Sequence, residues 1–464
     1  MVLIWLVAAG FFMQALDSTI VNTALPSMAR SLHESPLRMQ SVIIGYSLTL
    51  ALLIPASGWL ADRFGTRSTY LAALLLFVLG SAMCAAAPTL GVLVAARVLQ
   101  GIGGAMLLPV GRLAVLRSVP RALFLQALSM VTIPGLVGPL LGPTLGGWLS
   151  EYSSWHWIFL INIPIGLLGA IATLKFMPQS RPVGLEPFDF GGFAMIATAM
   201  VTISLALDGV SELHFQLGAV MLLFVFGLAA LSAYWLHASQ HAQPLFSPAL
   251  FRIPTFSIGL LGNLFARIGV GSVPFLLPLM LQVGLGYTPA QAGMMLIPTG
   301  IAAIIGKWLV APLIARRGYR RVLIANTALL GACIVSFDLI SAGLPLWVRI
   351  VLLTVFGAIN SVQFSVMNTL TLKDLTPELA SSGNSLLSMV QMGAMSFGVA
   401  GAAALLTSFT QLLEAARPDS VLRGFHATFL TVGLITTASA WIFGQLSGEV
   451  RSQGEREETV DVPS

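Results

Sequence analysis

A chain of 464 residues that is 56% hydrophobic and only 9% charged cannot present a soluble surface, because soluble domains carry about 25% charged residues. Its formal charge of +5 comes from basic residues in short loops, which is no nucleic-acid surface. Apolar runs of about 20 residues recur from end to end, each long enough to cross roughly 30 Å of hydrocarbon; they do not alternate as barrel strands do, so the chain reads as an all-α polytopic membrane protein.

Fourteen spans are predicted, at about residues 4–27, 39–60, 69–88, 91–112, 124–149, 156–177, 189–208, 216–236, 257–281, 292–313, 321–341, 346–366, 382–406 and 425–446. The first is too long for a signal peptide and lacks the basic flank of one; that missing flank predicts further residues ahead of Met1. Within it, "FFMQALDSTIVNTALP" places Asp17 mid-helix, where a carboxylate costs roughly 2.5–3.5 kcal/mol on insertion scales. Asp17, Gln14, Ser18 and Asn22 fall within an arc of about 140° at 100° per residue. That arc is expected to face protein or water. A carboxyl there ionises when wet and protonates when occluded, as proton coupling requires; the alternative is a structural Asp bonded to a neighbouring helix.

Between spans two and three lies "GWLADRFGTR", Gly58 to Arg67. Gly58 is expected to permit close helix approach, and Gly65 to take the positive φ of a tight turn. Asp62 ends a helix, with Arg63, Arg67 or cations on a neighbouring helix as candidate partners; otherwise the segment is a solvated turn. Arg97 lies about seven residues into the fourth span. It either snorkels to the water interface or faces inward to pair with a carboxylate. In the fifth span, Gly138, Gly142 and Gly146 recur at a spacing of four with Pro139 and Pro143 between them. That spacing makes a face of small residues for close helix packing, while the prolines favour a bend. Arg267, about eleven residues into the first helix of the second half, roughly mirrors Asp17. Its candidate partners are Asp17 itself or an anionic group on a substrate.

Other features point away from chemistry. "GIAAIIGKW" resembles a phosphate loop, but it has one residue too many and Trp308 where Ser or Thr belongs. His33, His156, His214, His237, His241 and His426 are read as scattered, without ligand spacing. Cys84 and Cys333 lie in apolar runs, so no disulfide framework is expected. No catalytic constellation, metal or cofactor is predicted, and the protein is not expected to be an enzyme.

Arg and Lys set the orientation. Fifteen fall on one set of loops and the tail, against four on the other set, so both termini are expected in the cytoplasm. The chain also repeats itself: "LADRFG" from Leu60 aligns with "LIARRG" from Leu313, and "LSMVTIPGLVG" from Leu128 with "LSMVQMGAMSFG" from Leu387. The repeats predict two six-helix halves, 1–177 and 257–446, with two inserted helices at 189–236 and a short polar tail at 447–464.

"GWLADRFGTR" resembles the loop motif between helices 2 and 3 of the major facilitator superfamily. "ARVLQGIGGA" from Ala96 resembles its helix-4 motif, and "GPLLGPTLGG" from Gly138 its helix-5 antiporter motif. "LDSTIVNTALP" from Leu16 is similar to the helix-1 signature of the fourteen-span drug:proton antiporters. With "WHWIFLINIPIG" and "MNTLTLKDL", the likeness covers nearly the whole chain. It implies the major facilitator fold and a cytoplasmic gate latch at Gly58, Asp62, Arg63, Gly65 and Arg67. Ala315 stands where the second repeat would need the counterpart of Asp62, so only the first half keeps the full latch.

The expected protein is a proton-driven antiporter of the bacterial inner membrane that exports small organic compounds by alternating access. Asp17 carries the proton, and Gln14, Asn22, Arg97, Asn263, Arg267 and Asn360 line the substrate cavity. Partners are the substrate, protons and lipid, with no nucleic acid, and the chain works as a monomer. The runner-up substrate is an anionic metabolite or metal chelate. A membrane sensor or scaffold is the reading from another class, but it needs a soluble signalling domain, and the longest loops are about 20 residues.

Overall fold

A computed structural model describes residues 2–119, 124–180, 187–211, 217–414 and 420–446. The polar tail predicted at 447–464 lies outside the described residues. Every regular element among them is helical: α1 (Val2–Leu32), α2 (Gln40–Phe64), α3 (Thr66–Ala85), α4 (Leu90–Ser118), α5 (Phe124–Tyr152), α6 (Trp157–Leu160), α7 (Asn162–Phe176), α8 (Phe190–Ser211), α9 (Leu217–Gln240), α10 (Pro254–Leu279), α11 (Pro289–Met295), α12 (Ile297–Gly306), α13 (Val310–Val335), α14 (Leu346–Leu372), α15 (Pro377–Glu414), α16 (Ser420–Ala438) and α17 (Ala440–Gly444). In hydrocarbon each backbone N–H and C=O must find its partner within the segment, which makes helices of these apolar runs.

By length and composition, twelve helical stretches among the described residues can cross a membrane, not the fourteen expected. The difference lies at two places. α5, with 29 residues, is not among the twelve, and Pro289–Leu339 counts as one stretch of 51 residues. That stretch turns sharply inside α13 at Gly318, with φ 70° and ψ 163°. Gly65 makes the matching turn between α2 and α3, at φ 89° and ψ 151°. Both glycines occupy the aligned place in "LADRFG" and "LIARRG", and only glycine takes such a φ readily.

The packing repeats as the sequence does. α1 lies along α5, α2 and α3 along α4, and α7 against α3. In the later helices, α10 lies along α15, α12 and α13 along α14, and α16 against α13. Between the two groups, α2 packs on α15, and α5 on α11 and α12. α8 pairs with α9 and rests on α15 and α2. α9 exposes Met221, Leu222, Val225 and Phe226 by 56–70% each, an apolar band suited to lipid.

Among the described residues, three hydrogen bonds join the first group to the second. Gln282 Nε2 donates to the Thr23 carbonyl at 2.9 Å, the Ala290 amide to Glu151 Oε2 at 2.8 Å, and Thr144 Oγ1 to the Gly293 carbonyl at 3.3 Å. Each lies towards the end of the bundle where α1, α5 and α10 finish. At the opposite end, where Gly65 and Gly318 turn, the described residues form no such bond between the groups.

The glycine face of α5 meets α1. A Cβ at Gly138 would come within 2.7 Å of the Leu16 amide nitrogen, at Gly142 within 3.0 Å of the Ile20 nitrogen, and at Gly146 within 2.6 Å of Thr23 Oγ1. The predicted close approach is therefore real, and its partner is the helix that carries Asp17. Thr23 Oγ1 also donates to the Pro143 carbonyl at 2.9 Å. Gly146→Val should force the two helices apart, at about 1–3 kcal/mol as for other overpacked sites. Thermal unfolding of the purified protein should drop by several degrees, whereas Gly401→Ala, with nothing within 4 Å of its Cβ, should leave it unchanged. Equal melting curves for all three proteins would mean that the α1–α5 contact is soft.

Candidate functional site

Asp17 is fully buried, and so is Arg97. Arg97 Nη1 donates to Asp17 Oδ2 at 2.6 Å. The second carboxylate oxygen, Oδ1, accepts from Gln100 Nε2 at 2.8 Å and from Asn162 Nδ2 at 3.0 Å. Each donor comes from a different turn or helix: Gln100 follows Arg97 at i+3 on α4, a spacing that puts both on one helical face, and Asn162 opens α7. Ser81 on α3 closes the ring. Its hydroxyl accepts from Gln100 at 3.2 Å and from Asn162 at 3.1 Å, and donates to the Phe159 carbonyl at 2.9 Å.

The guanidinium has further partners through Nε and Nη1. Its Nε donates to the Val42 carbonyl at 3.3 Å, and Nη1 also reaches Gln100 Oε1 at 2.7 Å. The ring of Tyr46 lies 4.1 Å from its central carbon, a cation–π distance. Arg97 therefore faces inward and pairs with a carboxylate; it does not snorkel. A buried ion pair is tolerated only when further hydrogen bonds satisfy both partners, and Gln100, Asn162 and the Val42 carbonyl provide them. The Asp17 carboxylate is the only counter-charge that the described residues offer Arg97.

Sequence reading missed Gln100, Asn162, Ser81 and Tyr46. Their signal was present, since each is a polar or hydroxyl-bearing residue inside an apolar span. The other residues of the predicted arc part from Asp17. Gln14 Oε1 and Asn22 Oδ1 are buried without a hydrogen-bond partner and join none of these bonds.

Arg267 does not pair with Asp17. Among the described residues it forms no hydrogen bond or ion pair; its guanidinium carbon stands 4.4 Å from the centre of the Phe364 ring, and its Nε is buried without a partner. It borders a cavity of about 20 Å³ with Asn360, Gln363, Phe364 and Met367, room for about one water. Asn263 belongs to a separate network one turn away. Its Nδ2 donates to the Gly259 carbonyl at 2.9 Å, and its Oδ1 accepts from Gln391 Nε2 at 3.1 Å.

At the turn between α2 and α3, Asp62 pairs with Arg117 of α4 at 2.5 Å. The neighbouring-helix cation is thus its partner, and neither Arg63 nor Arg67 is. Arg63 instead lies 5.4 Å from the Trp59 ring. Gly58 corrects the expectation of close helix approach: a Cβ there would meet nothing within 4 Å. A further correction concerns histidine. His237, in the last turn of α9, and His241, just past its end, stack their rings with centroids 4.8 Å apart, and Asp189 joins them.

The family model described as Major Facilitator Superfamily matches residues 7–399. A protein of Pectobacterium atrosepticum, "Putative multidrug resistance protein MdtD", is 50% identical over 97% of this chain and 96% of its own. Its namesake from Serratia proteamaculans is 49% identical over 96% and 93%. The crystal structure of an auto-inhibited peptide transporter of the POT family superposes with a TM-score of 0.70 at 14% identity, covering 97% of this chain and 98% of that one. The match over most of the length, the relatives near half identity and the shared helical architecture agree, and the chain belongs to the Major Facilitator Superfamily.

Proposed function

We propose that this protein is a proton-coupled antiporter that exports drug-like organic compounds across the bacterial inner membrane by alternating access. The observation that carries the reading is the buried Asp17, held by Arg97, Gln100 and Asn162 and offered no water-filled surface. Intramembrane carboxylates are functional by default. The names of the relatives near 50% identity favour drug export over an anionic metabolite or chelate. Proteoliposomes under an imposed pH gradient, loaded with a panel of drugs, test this. Uptake or release of at least one compound should follow the sign of the gradient, and a panel that ignores the gradient would sink the proposal.

The spans and halves follow the same reading. Adding α5 to the twelve stretches and dividing Pro289–Leu339 at Gly318 restores fourteen, with α8 and α9 as the insert between two six-helix halves. The repeated helix pairings support that division. With the basic loops inside the cell, both termini are cytoplasmic. The three bonds between the halves then lie at the periplasmic end, and the substrate path faces inward. The chain works as a monomer.

In this arrangement the Asp62–Arg117 pair tethers the cytoplasmic ends of α2 and α4. Both side chains are partly exposed, so the pair is worth about 1 kcal/mol or less. Asp62→Asn should change cysteine labelling from the cytoplasmic side by a few-fold while sparing protein levels. Unchanged labelling from both sides would leave the turn a role in topology only.

A further inference from the structure

Beside the inserted helices lies a side-chain cluster separate from the Asp17 network. His237, in the last turn of α9, and His241, just past its end, stack their rings. Their centroids are 4.8 Å apart and nearly parallel. Asp189, buried just ahead of α8, bonds to His237 Nε2 through Oδ1 at 2.8 Å. The same carboxylate caps α8 by accepting the Gly192 amide at 2.8 Å, and its Oδ2 accepts the Leu245 amide at 3.1 Å. Burial raises the pKa of this carboxyl, but the Gly192 amide, His237 and the Leu245 amide outweigh that effect and hold it below the usual carboxylate range.

We propose that Asp189, His237 and His241 form a binding site for a divalent transition-metal ion of the Zn²⁺ class. Imidazole nitrogen and carboxylate oxygen are ligands that suit Zn²⁺. One ligand atom from each residue falls in a group no more than 4.8 Å across. A tetrahedral Zn²⁺ with ligands at about 2.1 Å holds neighbouring ligand atoms about 3.4 Å apart, so a small rotation of the exposed His241 ring closes the set. Three protein ligands leave a fourth position for water.

The site ties together three parts of the chain. Asp189 holds α8, the histidines end α9, and Leu245 belongs to the segment running on to α10. Tyr234 on α9 fastens that segment as well, with its hydroxyl donating to the Phe246 carbonyl at 3.0 Å and accepting the Phe246 amide at 2.8 Å. A bound ion would stiffen the connection between the inserted pair and the helices that follow.

The test uses the purified full-length protein in detergent, its affinity tag removed, titrated with Co²⁺ and then Zn²⁺. One saturable equivalent per chain is expected, with the visible absorption of Co²⁺ in a nitrogen and oxygen site, displaced by Zn²⁺. His241→Ala changes an exposed residue and should fold normally, yet weaken binding by about tenfold or more, as loss of a ligand or its support does elsewhere. His237→Gln should do the same, and Zn²⁺ should raise the melting temperature of the wild type but of neither variant. His33→Ala, far from the cluster in sequence, should bind as the wild type does. Absence of saturable binding to the wild type would overturn the proposal and leave a helix cap braced by a histidine. Unchanged affinity in both His241→Ala and His237→Gln would overturn it equally.

Discussion

Asp17→Asn is expected to abolish gradient-driven export, leaving rates at the level of empty liposomes. Asn matches Asp in shape but does not titrate, so a pH gradient has nothing to act on at this position. The substitution also changes the bonds. Asn can still accept from Gln100 or Asn162 through its one carbonyl oxygen, but it offers Arg97 no charge. Arg97 keeps the Val42 carbonyl, Gln100 Oε1 and the Tyr46 ring, so the helices should still assemble. Substrate exchange without a gradient should therefore survive. Counterflow and gradient-driven transport, measured on the same liposomes, separate the two. Wild-type accumulation against a gradient in Asp17→Asn would remove this residue from the coupling mechanism.

Arg97→Met should be the more damaging change to the fold. It leaves a carboxylate buried with only Gln100 and Asn162 as donors, and breaking a buried pair from one side costs about 3–5 kcal/mol. The expected result is low yield in the membrane and a clear drop in melting temperature. Adding Asp17→Asn should restore most of the stability, because the orphaned charge goes with it, while transport stays absent. That pattern would be non-additive, as expected of residues in contact. If the double variant is as unstable as the sum of the singles, the pair is not the unit proposed here.

Much of this could be read from the sequence, for reasons that differ by feature. Chain-local rules placed the apolar helices, the positive φ of Gly65 and the small-residue face of α5. The depth of Arg97 in its span left pairing with a carboxylate as one of two readings. Partner choice across helices was another matter. An arc of 140° around Asp17 holds several neighbours, and rotation by one residue exchanges one set for another. Gln14 and Asn22 were thus grouped with Asp17, while Gln100, Asn162 and Ser81 from three other helices are its network. Asp62 illustrates the same limit: a cation on a neighbouring helix stood as one candidate beside Arg63 and Arg67, but nothing local singled out Arg117, 55 residues later. His237 and His241 have ligand spacing in the sequence itself, but their third member comes from 48 residues away.

The three hydrogen bonds at one end of the bundle set an energy scale for the transport cycle. Two are between neutral groups and one is to the Glu151 carboxylate, worth together on the order of 4 kcal/mol. By itself that bias holds the opposite opening to roughly one molecule in a thousand. One elementary charge falling through 100 mV supplies roughly 2.3 kcal/mol, enough to raise that fraction about fiftyfold. The closure then keeps the other state rare in a de-energised membrane, and a single proton brings it to about one molecule in twenty. Removing just the Glu151 bond would shift this balance towards idle cycling, in which protons cross without cargo.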